Sequence, residues 1–218
     1  MLLRGEESRL KAGCSQDWLP HKTVGNLPHK SSHVQDKHER HGMNVRLKRT
    51  PGLYLVGFMG SGKTTVGRHL AQRMGWSFFD LDHEIEAAEK TTIAELFDTR
   101  GEPEFRRIES EMLRQHIRSI ERGRPAVLAL GGGAFVDAAN RDLILQNGIA
   151  IWLDCPFDRV QRRIGDTTVR PLARDPQRFA ALYESRREIY ALADVRIAIE
   201  SDDAGQALEA VLNLPILK

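Results

Sequence analysis

Five short apolar runs rich in β-favouring residues, at 53–56, 76–82, 126–130, 149–153 and 195–199, punctuate the chain, and between them apolar residues recur at helical spacing. Val66 to Met74 predicts a helix stopped by Gly75. Thr91 to Phe97 predicts a second, with Thr92 and Glu95 spaced as a capping box. A third opens at Gly101, with Pro103 near its first turn and a stripe of Ile108, Met112 and Ile117. Further helices are predicted over 137–146, 157–164, 179–192 and 204–212, with Asn147-Gly148 as the turn before the fourth strand. Ala126 to Leu130 is apolar throughout, as a strand covered on both sides requires. Regular alternation of strand and helix implies right-handed crossovers. The expected fold is therefore α/β, a three-layer sandwich with a five-stranded parallel sheet and helices on both faces.

Residues 1–50 break this pattern, with few large apolar residues and no sustained period. Basic side chains outnumber acidic ones there, so the net charge of +2 comes from this stretch and the remainder is close to neutral. The expectation is a disordered, solvated extension over 1–50 and a folded domain over 51–218. The extension holds His21, His29, His33, His38 and His41, but their spacings match no defined metal site and no Cys completes one. Arg4, Glu6 and Glu7 follow Met1-Leu2-Leu3 at once, which argues against a secretory signal, and Glu6, Glu7 and Asp17 argue against a transit peptide. Met43 is an alternative start. A near-neutral domain gives no argument for nucleic acid. Cys14 and Cys155 imply neither a disulfide framework nor a zinc site. No apolar run approaches the roughly 18 residues that span a bilayer. A soluble cytoplasmic protein is expected.

The most informative stretch begins where the first strand ends. Leu53-Tyr54-Leu55-Val56 leads into Gly57-Phe58-Met59-Gly60-Ser61-Gly62-Lys63-Thr64-Thr65, the G-x-x-x-x-G-K-T pattern between strand and helix that defines a P-loop. Glycines let successive backbone N–H groups face one anion, Lys63 supplies a compact positive charge, Thr64 a hydroxyl for Mg²⁺, and the helix its positive end. Asp80 and Asp82 close the second run. At a strand end, residues two apart point the same way, so both acids would project from the carboxyl edge of the sheet, where open parallel sheets bind ligands. One suits the magnesium shell and the other an acceptor hydroxyl, although an acid in this place also caps a following helix. Arg106 and Arg107 are adjacent and diverge by about 100° on a helix, so they cannot both serve one site. Gly131-Gly132-Gly133 after the third strand fits a binding floor better than a plain loop. The aperiodic stretch 166–175, with Arg170 and Arg174, is either a mobile lid carrying cations or a surface connector.

With these residues placed, the chain resembles the shikimate kinases over about residues 52 to 200. The resemblance rests on GFMGSGKTT at 57–65, FFDLD at 78–82, GEPEFRRIE at 101–109, LGGGA at 130–134, TVRPL at 168–172 and the R-x-x-x-Y of Arg186 to Tyr190. It implies a nucleoside-monophosphate-kinase-like P-loop fold with a mobile lid at about 165–175. The implied reaction is transfer of the γ-phosphate of ATP to the 3-hydroxyl of shikimate, on the route to chorismate and the aromatic amino acids. Position by position, the resemblance implies that Gly60, Ser61, Gly62, Lys63, Thr64 and Thr65 hold phosphates. Thr64 would ligate Mg²⁺, with Asp80 reaching it through water. Asp82 would bind shikimate hydroxyls, Arg106 and Arg186 its carboxylate, and Gly132 its ring face. Arg170 would reach the transferring phosphate, and Arg163 would stack near the adenine. ATP and shikimate would be the only partners of a monomer. Lys63, Asp82 and Arg170 form the implied catalytic set, and nearby arginines are expected to hold the Asp82 pKa low.

The chain departs from the family pattern in its extension, in Ala173 where a further Leu is common, and in 200–204, which lacks the basic residue and proline often found there. Two other readings remain beside this one: a P-loop kinase for another hydroxy acid such as gluconate, and a ligand sensor built on a kinase-like domain. Asp82 with Arg106, Gly132 and Arg186 speaks against the first. The lack of a helix-turn-helix pattern in 1–50 and the intact Lys63, Thr64, Asp80 and Asp82 speak against the second.

Overall fold

In the computed structural model the described residues are 52–164 and 176–217. The expected extension over 1–50 and the lid at about 165–175, with Arg170, Ala173 and Arg174, lie outside them. Strands β1 (Gly52–Val56), β2 (Ser77–Asp80), β3 (Ala126–Ala129), β4 (Gly148–Asp154) and β5 (Val195–Ala198) form one sheet in the order β2-β3-β1-β4-β5. Every pairing is parallel. Helices α1 (Lys63–Met74), α2 (Leu81–Glu89), α3 (Ile93–Glu121), α4 (Ala138–Asn147), α5 (Phe157–Ile164), α6 (Pro176–Tyr190) and α7 (Ala204–Leu212) connect and follow the strands.

The central strand shows why both faces must be covered. All five residues of β1 are buried, and successive side chains point to opposite faces. Leu55 meets Gly67 of α1 on one side, while on the other Tyr54 and Ile120 of α3 both close on Gly52. Gly67 is needed for that approach, since a Cβ there would stand 2.6 Å from Phe78 and 3.0 Å from Leu55. The core built this way gathers Leu53, Leu55, Leu70, Leu128, Ile151 and Val160.

Three local expectations change. The second strand stops at Asp80 instead of running to Asp82, because the Asp80 carboxylate accepts the His83 N–H and starts α2 at Leu81. Asp82 therefore sits in the first turn of a helix. The two helices expected around Gly101 form one kinked element, broken where Gly101 takes φ 81°. No turn separates α4 from β4: Gly148 is extended and begins the strand, and glycine is required there because a Cβ would overlap the Gly52 carbonyl oxygen.

Candidate active site

β1 delivers the chain into the P-loop at the carboxyl edge of the sheet, beside the end of β3. Gly57, Gly60 and Gly62 take φ of 142°, 76° and 96°, conformations that residues with a Cβ rarely adopt. Gly62 caps α1 without any side-chain hydrogen bond, so no side chain competes for the first-turn amides. The Lys63 ammonium donates to the carbonyl oxygens of Gly57 and Phe58, each at 2.9 Å, which holds it over the loop. The Thr64 hydroxyl donates to Asp80 Oδ2 at 2.6 Å. Residues 59–66, Asp80, Asp82, Gly132, Arg163 and 201–204 line a common cavity of about 420 Å³.

The glycine run after β3 forms one wall, and each glycine stands against a side chain. A Cβ on Gly131 would overlap Asp82 Oδ1 and come within 3.1 Å of Glu109 Oε1. On Gly132 it would lie 3.0 Å from the Arg186 guanidinium, and on Gly133 it would overlap that of Arg106. These glycines leave room for Asp82, Arg186 and Arg106 to converge. Arg106 and Arg107 do diverge: Arg106 bonds Glu109 at 2.7 Å, whereas Arg107 is exposed and pairs with Glu104. Glu109 is 1% exposed, and its second carboxylate oxygen finds no hydrogen-bond partner among the described residues. Burial raises its pKa against the pull of Arg106. Burial also opposes the charge on Arg106, but Glu109 and Glu102 outweigh it and hold the guanidinium protonated.

Asp82 departs from expectation in its electrostatics. Burial raises its pKa, with Asp80 and Glu86 adding to the rise and Lys63 opposing it. Desolvation therefore outweighs the neighbouring cation, and the carboxylate is a better proton acceptor than one held low by arginines.

On the opposite side of the cavity, Arg163 spends its donors on the protein. Its Nε meets Asp202 at 3.0 Å, and its terminal nitrogens meet the Gly60 and Ser201 carbonyls at 3.2 and 3.3 Å. Arg159 joins the same Asp202 carboxylate at 3.0 Å. A guanidinium so occupied offers its flat face, which suits stacking on an aromatic base.

The expected residues Gly60 to Thr65, Asp80, Asp82, Gly132 and Arg163 thus border one cavity, and Arg106 and Arg186 flank its glycine wall. Arg170 lies outside the described residues. Sequence reasoning gave no role to Glu109, Tyr190 or Asp202. The first two carried a signal, since they stand three and four residues beyond Arg106 and Arg186 on helices, a spacing at which side chains meet.

A family model described as shikimate kinase matches residues 59–214. The chain belongs to the shikimate kinase family. The shikimate kinase of Persephonella marina is 39% identical over 161 residues, 73% of this chain and 96% of its own. That of Cereibacter sphaeroides is 43% identical over 162 residues, 73% of this chain and 77% of its own. Among solved structures, the shikimate kinase from Acinetobacter baumannii in complex with shikimate has a TM-score of 0.71 at 36% identity, covering 78% of this chain and 94% of that one. Shikimate kinase chemistry with ATP suggests a divalent cation, and the donor set fits one: a hydroxyl and a carboxylate 2.6 Å apart at the P-loop are hard oxygen ligands of the kind Mg²⁺ takes beside phosphates. Among the described residues no cluster of three His, Cys, Asp or Glu could hold a metal alone. Among the described residues no helix is long and apolar enough to cross a membrane.

Proposed function

We propose that this chain transfers the γ-phosphoryl group of ATP to the 3-hydroxyl of shikimate, on the route to chorismate and the aromatic amino acids. The observation that carries the proposal is the convergence on Gly131–Gly133 of one carboxylate, Asp82, and two guanidiniums, Arg106 and Arg186, at the mouth of a P-loop. Two planar forks match a carboxylate, and a single acid matches ring hydroxyls, so the acceptor is a small hydroxy acid.

In this reading the amides of Gly60 to Thr65 and the end of α1 cradle the phosphates, while Lys63 neutralises charge between the β- and γ-groups. Thr64 and Asp80 would hold Mg²⁺, Asp80 through water, and the ion would supply positive charge to offset that on the phosphates. Arg106 and Arg186 bind the carboxylate and Gly132 faces the ring, which sets the 3-hydroxyl beside Asp82. The bond from the γ-phosphorus to the bridging oxygen breaks as a bond to the 3-oxygen forms, and the hydroxyl proton passes to Asp82. Its raised proton affinity supports that role. Positioning and charge neutralisation supply most of the rate, with proton transfer late in a loose transition state. Arg170, outside the described residues, completes the neutralisation on the strength of the TVRPL resemblance. Arg163 supports the adenine. A need for ATP supports a cytoplasmic setting.

The test is a coupled ADP-release assay with Mg-ATP, comparing shikimate, quinate and gluconate. ADP release confined to shikimate is expected. Release with gluconate alone would reassign the acceptor, and shikimate binding without release from any of the three would favour a sensor.

A further inference from the structure

We propose that Tyr190 is a positioning residue of the acceptor site, whose phenol joins the Gly132 carbonyl and the Arg186 side chain into one hydrogen-bonded unit. The proposal rests on the assignment of Gly132 and Arg186 to shikimate.

Helix α6 carries Arg186 and Tyr190 one turn apart, so both leave the same face. Tyr190 is 1% exposed and its ring stands 6.3 Å from that of Trp152, which leaves the phenol no freedom to sample solvent. The hydroxyl donates to the Gly132 carbonyl oxygen at 2.6 Å. The Arg186 guanidinium stands beside it: Arg186 Nη1 and the Tyr190 hydroxyl oxygen lie 3.0 and 3.6 Å from where a Cβ on Gly132 would stand, and toward a guanidinium the hydroxyl acts only as acceptor, because Arg has no lone pair to offer. Arg186 in turn stacks over Phe58 of the P-loop, its guanidinium carbon 5.7 Å from the ring centre. One phenol therefore fixes the middle glycine of the wall and one of the two guanidiniums relative to each other.

A second tyrosine on α6 shows that this is more than satisfaction of a buried hydroxyl. Tyr183 is 3% exposed and donates to the Cys155 carbonyl at 2.8 Å, away from the glycine wall. Both phenols are buried and both are satisfied, but Tyr190 alone of the two spends its bonds on the acceptor site. A carboxylate bound by two forks is sensitive to their spacing, and losing this bond would leave Arg186 and Gly132 free to shift independently.

The experiment compares Tyr190→Phe with Tyr183→Phe and the parent protein in the ADP-release assay, with thermal melts of all three. Each substitution keeps the ring and removes one buried hydroxyl. For Tyr190→Phe the KM for shikimate is expected to rise about three- to tenfold, the effect of one lost hydrogen bond, with kcat and the KM for Mg-ATP nearly unchanged. Tyr183→Phe is expected to lower the melting temperature comparably and leave the shikimate KM alone. Calorimetric titration of shikimate at low temperature gives the same comparison should either variant melt near the assay temperature. An unchanged shikimate KM in Tyr190→Phe, or an equal rise in both variants, overturns the proposal while the parent's activity stands. A parent that does not phosphorylate shikimate overturns the functional reading and this inference together.

Discussion

The two ends of the cavity hold their charges in opposite ways. At the acceptor end the ionic groups are half-buried and set against buried ones: Arg106 against Glu109 at 1% exposure, Arg186 beside Tyr190 at 1%, and Asp82 against the glycine wall. At the nucleotide end the contacts are backbone amides and a surface ion-pair cluster, in which the Asp202 side chain is 64% exposed. Low dielectric makes each misplaced group at the first end costly, whereas water shields the second. A small acceptor must be told from near relatives by a few polar groups, while a nucleotide spreads its binding over three phosphates and a base. The acceptor end should therefore be intolerant of single changes and the nucleotide end forgiving.

Asp82→Asn should give the largest effect. Replacing the proton acceptor is expected to lower kcat by about 10²- to 10⁴-fold with Mg-ATP still bound. In the parent, kcat/KM should fall as pH is lowered through the raised pKa of Asp82, because the ionised form is the active one. Stability has the opposite sign. A carboxylate whose pKa is raised by folding stabilises below the ordinary range and loses that contribution as pH rises through its folded value, so Asp82→Asn should melt a few degrees above the parent at pH 8 and approach it at pH 4. A melting curve that drops at pH 8 would mean that Asp82 is structural.

Gly131→Ala comes next. Its Cβ would overlap Asp82 Oδ1, and the nearby Glu109 leaves the carboxylate little room to retreat. Displacement of that kind is expected to lower kcat/KM for shikimate by about 10²-fold, with nucleotide affinity intact. Equal losses for both substrates would place the damage in the fold.

Glu109→Gln removes the charge that orients Arg106 and keeps its shape. The shikimate KM is expected to rise about tenfold, as for loss of a charge-assisted hydrogen bond. The KM for Mg-ATP should not move. A shikimate KM that stays put would show that Arg106 is held by Glu102 and packing alone.

These contrasts also mark what could be read in the sequence. The strand–helix order, the parallel sheet and the P-loop were legible because apolar periodicity and glycine spacing are local. The i, i+1 divergence of Arg106 and Arg107 was legible for the same reason. The extent of the second strand was misjudged because Asp80 rather than Asp82 starts the helix, and a capping bond overrides the β tendency of Trp76 to Leu81. The direction of the Asp82 shift was misjudged because desolvation depends on how deeply the third strand and its glycines cover the group, which spacing does not reveal. Asp202 left no signal, since its partners lie 39 and 43 positions away.

Asp202→Asn is the smallest expected change and the sharpest test of the forgiving end. Asp202 joins Arg159 and Arg163, and hydrogen bonds from Arg159 lead the causes that hold its pKa low. It is therefore ionised through the neutral range, and the variant loses charge without losing shape. Arg163 keeps the carbonyls of Gly60 and Ser201, so its plane should stay nearly in place. The KM for Mg-ATP is expected to rise about two- to threefold at low salt, as for an exposed ion pair, with the shikimate KM unchanged. The ratio of variant to parent should shrink toward one near 1 M salt, where the screening length falls to about 3 Å. A tenfold loss that persists in high salt would mean that the nucleotide end is as exactingly built as the acceptor end, and the contrast between them would fall.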